Sequence, residues 1–295
     1  MSACPGADSD ASPTGLTVLA LGQEGPNGIA VDSANVYWTN QFGGTVMRVA
    51  LDGGAATAIA SGQDEPYGIA TADGQVFWTN SAGGTVVTVL IDGGTASVLA
   101  SLQTQPTGVA VQGGSVYWTN YDGDSIAVAP VAGGGLATLA SGQGQPFGIA
   151  AGATGVYWVD EGAGTVMAAM LGGSQPATLA SGQGTPTSIA TDATNVYWTN
   201  GDGGAIATCA QDGGAVTVLA RGKRPWGIAV DGANVYWADL GAGTVMRVAV
   251  GGGPPVTLAS GQACPQGIAV DSGRVYWTTR GATLGSGTVM SAPKN

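Results

Sequence analysis

Apolar residues in this chain come in runs of four to eight positions, separated by clusters of Gly, Asp, Asn and Ser, and none shows the 3.6-residue spacing of an amphipathic helix. Written once, the recurring order is GIAVD, a link, VYWTN, a link, GTVMRV, a DGG turn, then ATLASGQ and a Pro. Each run is rich in Val, Ile, Tyr, Trp and Thr and predicts a strand, so the unit predicts four strands in about 40 residues. The VYWTN phrase returns seven times, with its tryptophans at Trp38, Trp78, Trp118, Trp158, Trp198, Trp237 and Trp277. Successive separations of 40, 40, 40, 40, 39 and 40 residues mark a structural repeat.

These strands predict an all-β fold, a seven-bladed β-propeller with four antiparallel strands per blade, named A to D from the axis outward. Strand A begins at Gly28 and its copies at 68, 108, 148, 188, 227 and 267, where small residues let seven sheets converge. Strand B is the tryptophan phrase, whose side chains alternate between faces and fill the gaps between sheets. Leu16-Thr17-Val18-Leu19-Ala20 matches strand D, whereas the chain ends on a strand C, Gly287-Thr288-Val289-Met290-Ser291. The last blade is therefore expected to be closed by the N-terminal strand, which removes an exposed edge. The organisation expected is a flexible lead-in over 1–15 and a single propeller domain over 16–295.

Composition narrows the chemistry. Gly (53) and Pro (14) are abundant, yet they recur at fixed offsets, which sets the chain apart from disordered sequences. A net charge of −11 disfavours nucleic acid and anionic membrane, and no apolar run is long enough for a membrane span. There is no histidine, which removes the commonest general base, the commonest neutral metal ligand and every Ser-His or Cys-His pair. Cys4, Cys209 and Cys264 fit no zinc spacing and no disulfide framework.

The stretch TLASGQ-x-x-P-x-GIAVD-x-x-x-x-VYWTN resembles the YWTD repeat of low-density-lipoprotein-receptor propellers, and more loosely NHL-type and virginiamycin-B-lyase-like propellers. The resemblance covers residues 16–292. Receptor propellers of the first kind have six blades where seven repeats stand here, and the motif Asp varies in this chain, so their ligands do not transfer. The lyase resemblance implies a seven-bladed ring, but that chemistry relies on a His and a metal-binding acidic cluster, and this chain has no His. The uniform Gly-rich repeats also resemble repeat lipoproteins of soil bacteria. On that resemblance MSAC at the start is similar to the end of a lipobox, which implies a lipid anchor through Cys4 and a bacterial, extracytoplasmic location, periplasmic or cell-surface.

Positions that differ among repeats are free to serve something other than the fold. The A–B and C–D links share one face, where Leu51-Asp52-Gly53-Gly54, Ile91-Asp92-Gly93-Gly94 and Gln211-Asp212-Gly213-Gly214 read as near-identical tight turns. On the other face the residue after the conserved Pro runs Asn27, Tyr67, Thr107, Phe147, Thr187, Trp226 and Gln266 around the channel mouth. Its B–C links add Phe42 and Tyr121, and the last blade inserts four residues between Arg280 and Ser286. Asn27, Phe42, Tyr67, Tyr121, Phe147, Trp226 and Gln266 are the candidate ligand-binding residues, with an aromatic in blades 2, 4 and 6 expected to floor a series of shallow pockets. The lone basic group, Arg221, Lys223 and Arg224, occupies a D–A link on the same face.

The function expected is non-enzymatic: a monomeric extracytoplasmic binding or scaffold propeller for a glycan, peptide or protein ligand. One alternative is a metal- and carboxylate-dependent lactonase or lyase, whose acids would come from Asp122, Asp124, Asp160, Glu161, Asp202 and Asp239; another is a structural cell-envelope protein. No catalytic residue and no resident metal or cofactor is expected, with calcium at Tyr121-Asp122-Gly123-Asp124 the weak exception, since the full ligand spacing of a calcium loop is absent. Gln23, Gln63, Gln103, Gln143, Gln183 and Gln262, just before the D–A links, are expected to bond neighbouring backbone.

Overall fold

The computed structural model describes residues 15–171 and 175–294. They form seven four-stranded antiparallel sheets arranged as the blades of a ring, with no helix. Blade 1 runs outward through Pro26–Val31, Asn35–Asn40, Thr45–Ala50 and Thr57–Ala60. Blade 7 takes Pro265–Val270, Arg274–Thr279 and Gly287–Pro293 from the end of the chain, and Thr17–Gln23 from its beginning as strand D. Thr17 pairs with Ser291 and Val18 with Met290. The Arg274 guanidinium locks that closure by donating to Thr17 Oγ1 and to Ser291 Oγ, each at 3.0 Å. Residues 1–14 of the expected lead-in lie outside the described residues, and so does Cys4.

Convergence at the axis works as the small residues of strand A predict. A Cβ on Gly28 would collide with the Tyr67 carbonyl oxygen of blade 2, and one on Gly267 with the Asn27 carbonyl oxygen of blade 1. The seven repeat tryptophans are fully buried between sheets. Trp38, for example, packs with Val36 and Val49 of its own blade and with Leu19, Tyr276 and Val289 of blade 7. Large flat side chains of this kind supply most of the apolar area holding adjacent blades together.

Two polar devices repeat around the seams. In the first, a glutamine preceding the D–A link accepts the indole N–H of the next blade's tryptophan, at 2.8–3.0 Å in six places, and in four of them also the amide of the phrase-ending asparagine. Its own amide reaches only two residues back, as in Gln63 Nε2 to the Ser61 carbonyl. These glutamines are structural as expected, but they clamp side chains across the seam as well as backbone. A buried indole N–H needs a partner, and the nearest one lies on the previous blade. In the second device the Thr of VYWTN accepts from the strand A amide of its own blade and donates to a strand A carbonyl of the next, as Thr39 does with Gly28 and Tyr67. Thr278 does this across the closure, to the Asn27 carbonyl at 2.7 Å.

One sequence expectation is overturned. Cys264 is disulfide-bonded, while Cys209 is free and buried. Spacing along the chain could not reveal this, because a ring brings residues from distant repeats and from the two ends together.

Candidate functional site

The mouth is built on a rigid rim. The carbonyl before each repeat's Pro accepts an amide of the facing B–C link, as in Gln41 to Gly25, Tyr121 to Gln105 and Arg280 to Cys264. To aim that carbonyl the residue turns left-handed in every repeat except the sixth, where Arg224 stands, even where it carries a side chain: Glu65, Gln105, Gln145, Thr185 and Cys264 have φ of 52–57°. Just beyond the Pro, the pairing of strands A and B is irregular in every blade, between Pro26 and Ile29 in blade 1. Irregularities of this kind re-aim side chains, and here they adjoin the residue at the mouth.

The aromatic residues of blades 2, 4 and 6 do not floor separate pockets. They meet one another over the axis: Phe147 contacts Tyr67, Trp226 and also Tyr121 edge to face, with centroids at 5.6, 5.8 and 5.9 Å. The series of shallow pockets expected from alternation is replaced by one aromatic cap, because large rings on a narrow circle reach one another across the smaller Thr107 and Thr187, both buried. Beneath it lies an axial cavity of about 160 Å³ lined by Gly and Ile of the inner strands.

A second cavity of about 760 Å³ opens off-axis, over blades 6, 7 and 1. Asn27, Phe42, Tyr67, Trp226 and Gln266 all line it, together with Arg224, Arg280 and the inserted loop Gly281–Leu284. Of the candidate residues only Phe147 and Tyr121 stand apart, joined to it through the cap. The loop folds back on itself, with Ser286 Oγ accepting from the Thr283 amide and donating to the Thr283 carbonyl. A Cβ on Gly281 would strike Ser286, so glycine permits the fold-back. Arg280 lies over the Phe42 ring at 4.6 Å and Arg224 over Trp226 at 5.8 Å. Sequence reasoning noticed both arginines but assigned neither to the site, since residues 42 and 280 become neighbours only when the ring closes.

The acids spread over blades 3 to 6. Asp160 is buried; Asp124 Oδ1 accepts the Gln145 amide, and Asp202 accepts the Thr185 hydroxyl. Asp239 accepts the amides of Lys223, Arg224 and Ala242. The amide of Gln105, turned to donate, meets both oxygens of Asp122 at 3.0 and 2.9 Å. Each of these five has a local structural partner, Asp160 Oδ2 accepting the Thr165 hydroxyl, and among the described residues no three acids, cysteines or histidines form a metal-holding group. Glu161 lies beside the cap, next to the Tyr121 hydroxyl. Burial raises its carboxyl, and the Arg224 charge opposes that rise. Burial pushes the hydroxyls of Tyr67 and Tyr121 up to about 12, so both stay protonated donors at neutral pH.

The opposite face carries the expected turns. Gly53 and Gly54 take φ of +92° and +115° after an exposed Asp52. An unforeseen structural acid lies on the same face: Asp32 accepts the Tyr37 hydroxyl and two turn amides, and Asp192, Asp231 and Asp271 repeat the arrangement.

Comparison with known proteins bears on the fold. No family model matches the chain, and no curated protein matches it in sequence. Among solved structures, virginiamycin B lyase from Staphylococcus aureus superposes with a TM-score of 0.82 at 16% identity, over 95% of this chain and 99% of that one. A catalytically inactive His-to-Ala variant of the same enzyme with quinupristin gives 0.80 at 18%, over 94% and 98%. A chain of a nidogen/laminin complex gives 0.64 at 21%, over 76% and 94%. The protein is a seven-bladed β-propeller. Its structural neighbours include both kinds of ring that its repeat phrase resembles, the lyase-like and the YWTD-like.

Proposed function

We propose that this propeller is a non-enzymatic, extracytoplasmic binding protein that takes a glycan or an extended peptide at the channel mouth. The observation that carries the reading is the asymmetry of its two faces. One bears near-identical hairpin turns; the other gathers an aromatic cap and a cavity of about 760 Å³, within the range of small-ligand sites. Two further facts support it. The lyase neighbour is catalytically inactive as a His-to-Ala variant, and this chain contains no histidine. Cys264 is oxidised, a state that secreted and periplasmic proteins keep and cytosolic ones rarely do. A closed ring with a net charge of −11 fits action as a monomer.

The experiment is a screen of the purified chain against glycan and peptide arrays, followed by titration of Tyr67→Ala, Phe147→Ala and Trp226→Ala with any ligand found. Truncating a central aromatic anchor costs about 2 kcal/mol or more of binding free energy. Phe147→Ala should cost most, because that ring contacts the other three. Unchanged affinity in all three, with a loss in Asp52→Ala or Asp92→Ala, would move the site to the other face.

A further inference from the structure

The off-axis cavity has a chemistry unlike the rest of the molecule. In a chain of net charge −11 with only eight Lys and Arg, four of these, Arg221, Lys223, Arg224 and Arg280, belong to links on the mouth side of blades 5 to 7. Two of them, Arg224 and Arg280, line the cavity, and no carboxylate does. Among the described residues neither guanidinium is in a salt bridge; the ion pair present is Lys294 with Asp231. At the rim Glu65 accepts from the Gln41 amide, and across the cap Glu161 lies within the field of Arg224 without pairing to it. Each guanidinium instead lies over a ring face, Arg280 at 4.6 Å from the Phe42 centroid and Arg224 at 5.8 Å from that of Trp226. Cation–π attraction to a ring leaves guanidinium N–H groups able to bind a planar oxyanion in bidentate fashion.

We infer that this cavity recognises an acidic sugar, with a carboxylate or sulfate on Arg224 and Arg280. The assignment rests on the mouth being the binding face and names the ligand class. The remaining wall suits a sugar body. The buried Asn27 and Gln266 line its wall with neutral amides, Asn27 donating to the Gln41 side chain, Thr283 adds a hydroxyl on the inserted loop, and the half-buried Trp226 offers an apolar ring to a sugar face. The volume, about 760 Å³, admits two or three sugar units. An acidic peptide shares the charge but would leave these amides less fully used.

The test is calorimetric titration of the intact chain with two matched pairs. One is tetragalacturonate against its methyl ester; the other is a sulfated galactan tetrasaccharide against its desulfated parent. At least one acidic member should bind, ten-fold or more tighter than its neutral partner, and weaken with added salt; which pair responds tells carboxylate from sulfate. Arg280→Gln and Arg224→Gln should each lose at least five-fold and flatten the salt dependence. Arg280→Lys, which keeps the charge without the planar fork, should fall between. Melting curves of the variants control for folding. Neutral members binding as well as acidic ones, or affinities indifferent to both arginine substitutions, overturn the inference. If binding is then still lost in Trp226→Ala, the binding face itself stands. Binding confined to acidic array peptides overturns the sugar assignment, and no binding by any probe overturns both readings.

Discussion

Asp160 shows what one side chain costs when it breaks the repeat. It stands where four blades place an asparagine that donates to the seam glutamine, but a carboxylate cannot donate, and its Oδ1 is buried without a partner. Burial raises its pKa, so the folded state holds the proton more tightly than the unfolded chain does. The sign follows: stability from this group is present at low pH and is lost as pH rises from the ordinary carboxylate range through the raised value. Asp160→Asn should therefore stabilise the protein at pH 7 by about 1 kcal/mol, and thermal melts of the two proteins should converge in acid. The converse change is Gln63→Leu, which strands the Trp78 indole and takes from the Asn80 amide one of its two acceptors, Thr85 Oγ1 being the other. A loss of about 2 kcal/mol is expected, read as a shift of the denaturant midpoint. Such clamps were half legible in sequence: six glutamines in register announced a structural role, but which atoms they meet depends on the seam.

Among elements, the N-terminal strand does the most. Without Thr17–Gln23, Gly287–Pro293 becomes an exposed edge, Trp38 loses Leu19 and Ala20, and its indole loses Gln23. Deleting residues 1–22 should abolish a cooperative melt. Arg274→Ala, which removes the side-chain tie to Gly15, Thr17 and Ser291 but leaves the strand, should retain it with a lowered midpoint. If the deletion melts like the full chain, the closing strand is dispensable. All four strands of the unit, and this closure, were legible because alternation and turn residues are local signals repeated seven times. The inserted loop of blade 7 was legible as an insertion, but not as a cavity wall, since nothing local says that it folds back over Gly281.

Across the whole molecule the seams are not equal. Those from blade 7 round to blade 4 each hold both the threonine relay and the glutamine clamp. Farther round the ring one device is missing each time. Val159 and Ala238 replace the relay threonine in blades 4 and 6, and Gly222, whose amide bonds the Gly204 carbonyl as that of Gln183 bonds Gly164, replaces the glutamine, leaving the Trp237 indole N–H without a partner. Amide exchange should accordingly be faster in strands A and B of blades 5 to 7 than in blades 1 to 3. Uniform protection would show that apolar packing alone sets seam strength. The cavity, over blades 6, 7 and 1, straddles one end of this more weakly bonded arc. What sequence could not supply was this distribution: every departure from the repeat was visible, but their clustering on one side of a ring, and the meeting of Phe42 with Arg280, exist only once the circle is drawn.

The placement of the two ends has a further consequence. Blade 7 draws strands from both, and the site of a Cβ on Gly15 lies 3.1 Å from the Pro293 ring. The open C–D position of blade 7 thus takes the place that a closed C–D link takes in each of the other blades. A circular permutant that joins the present ends by a short linker and opens the chain between Gly93 and Gly94 should rebuild the same ring, with blade 2 now the one assembled from both termini. For a molecule made this way, where the chain starts is a convention.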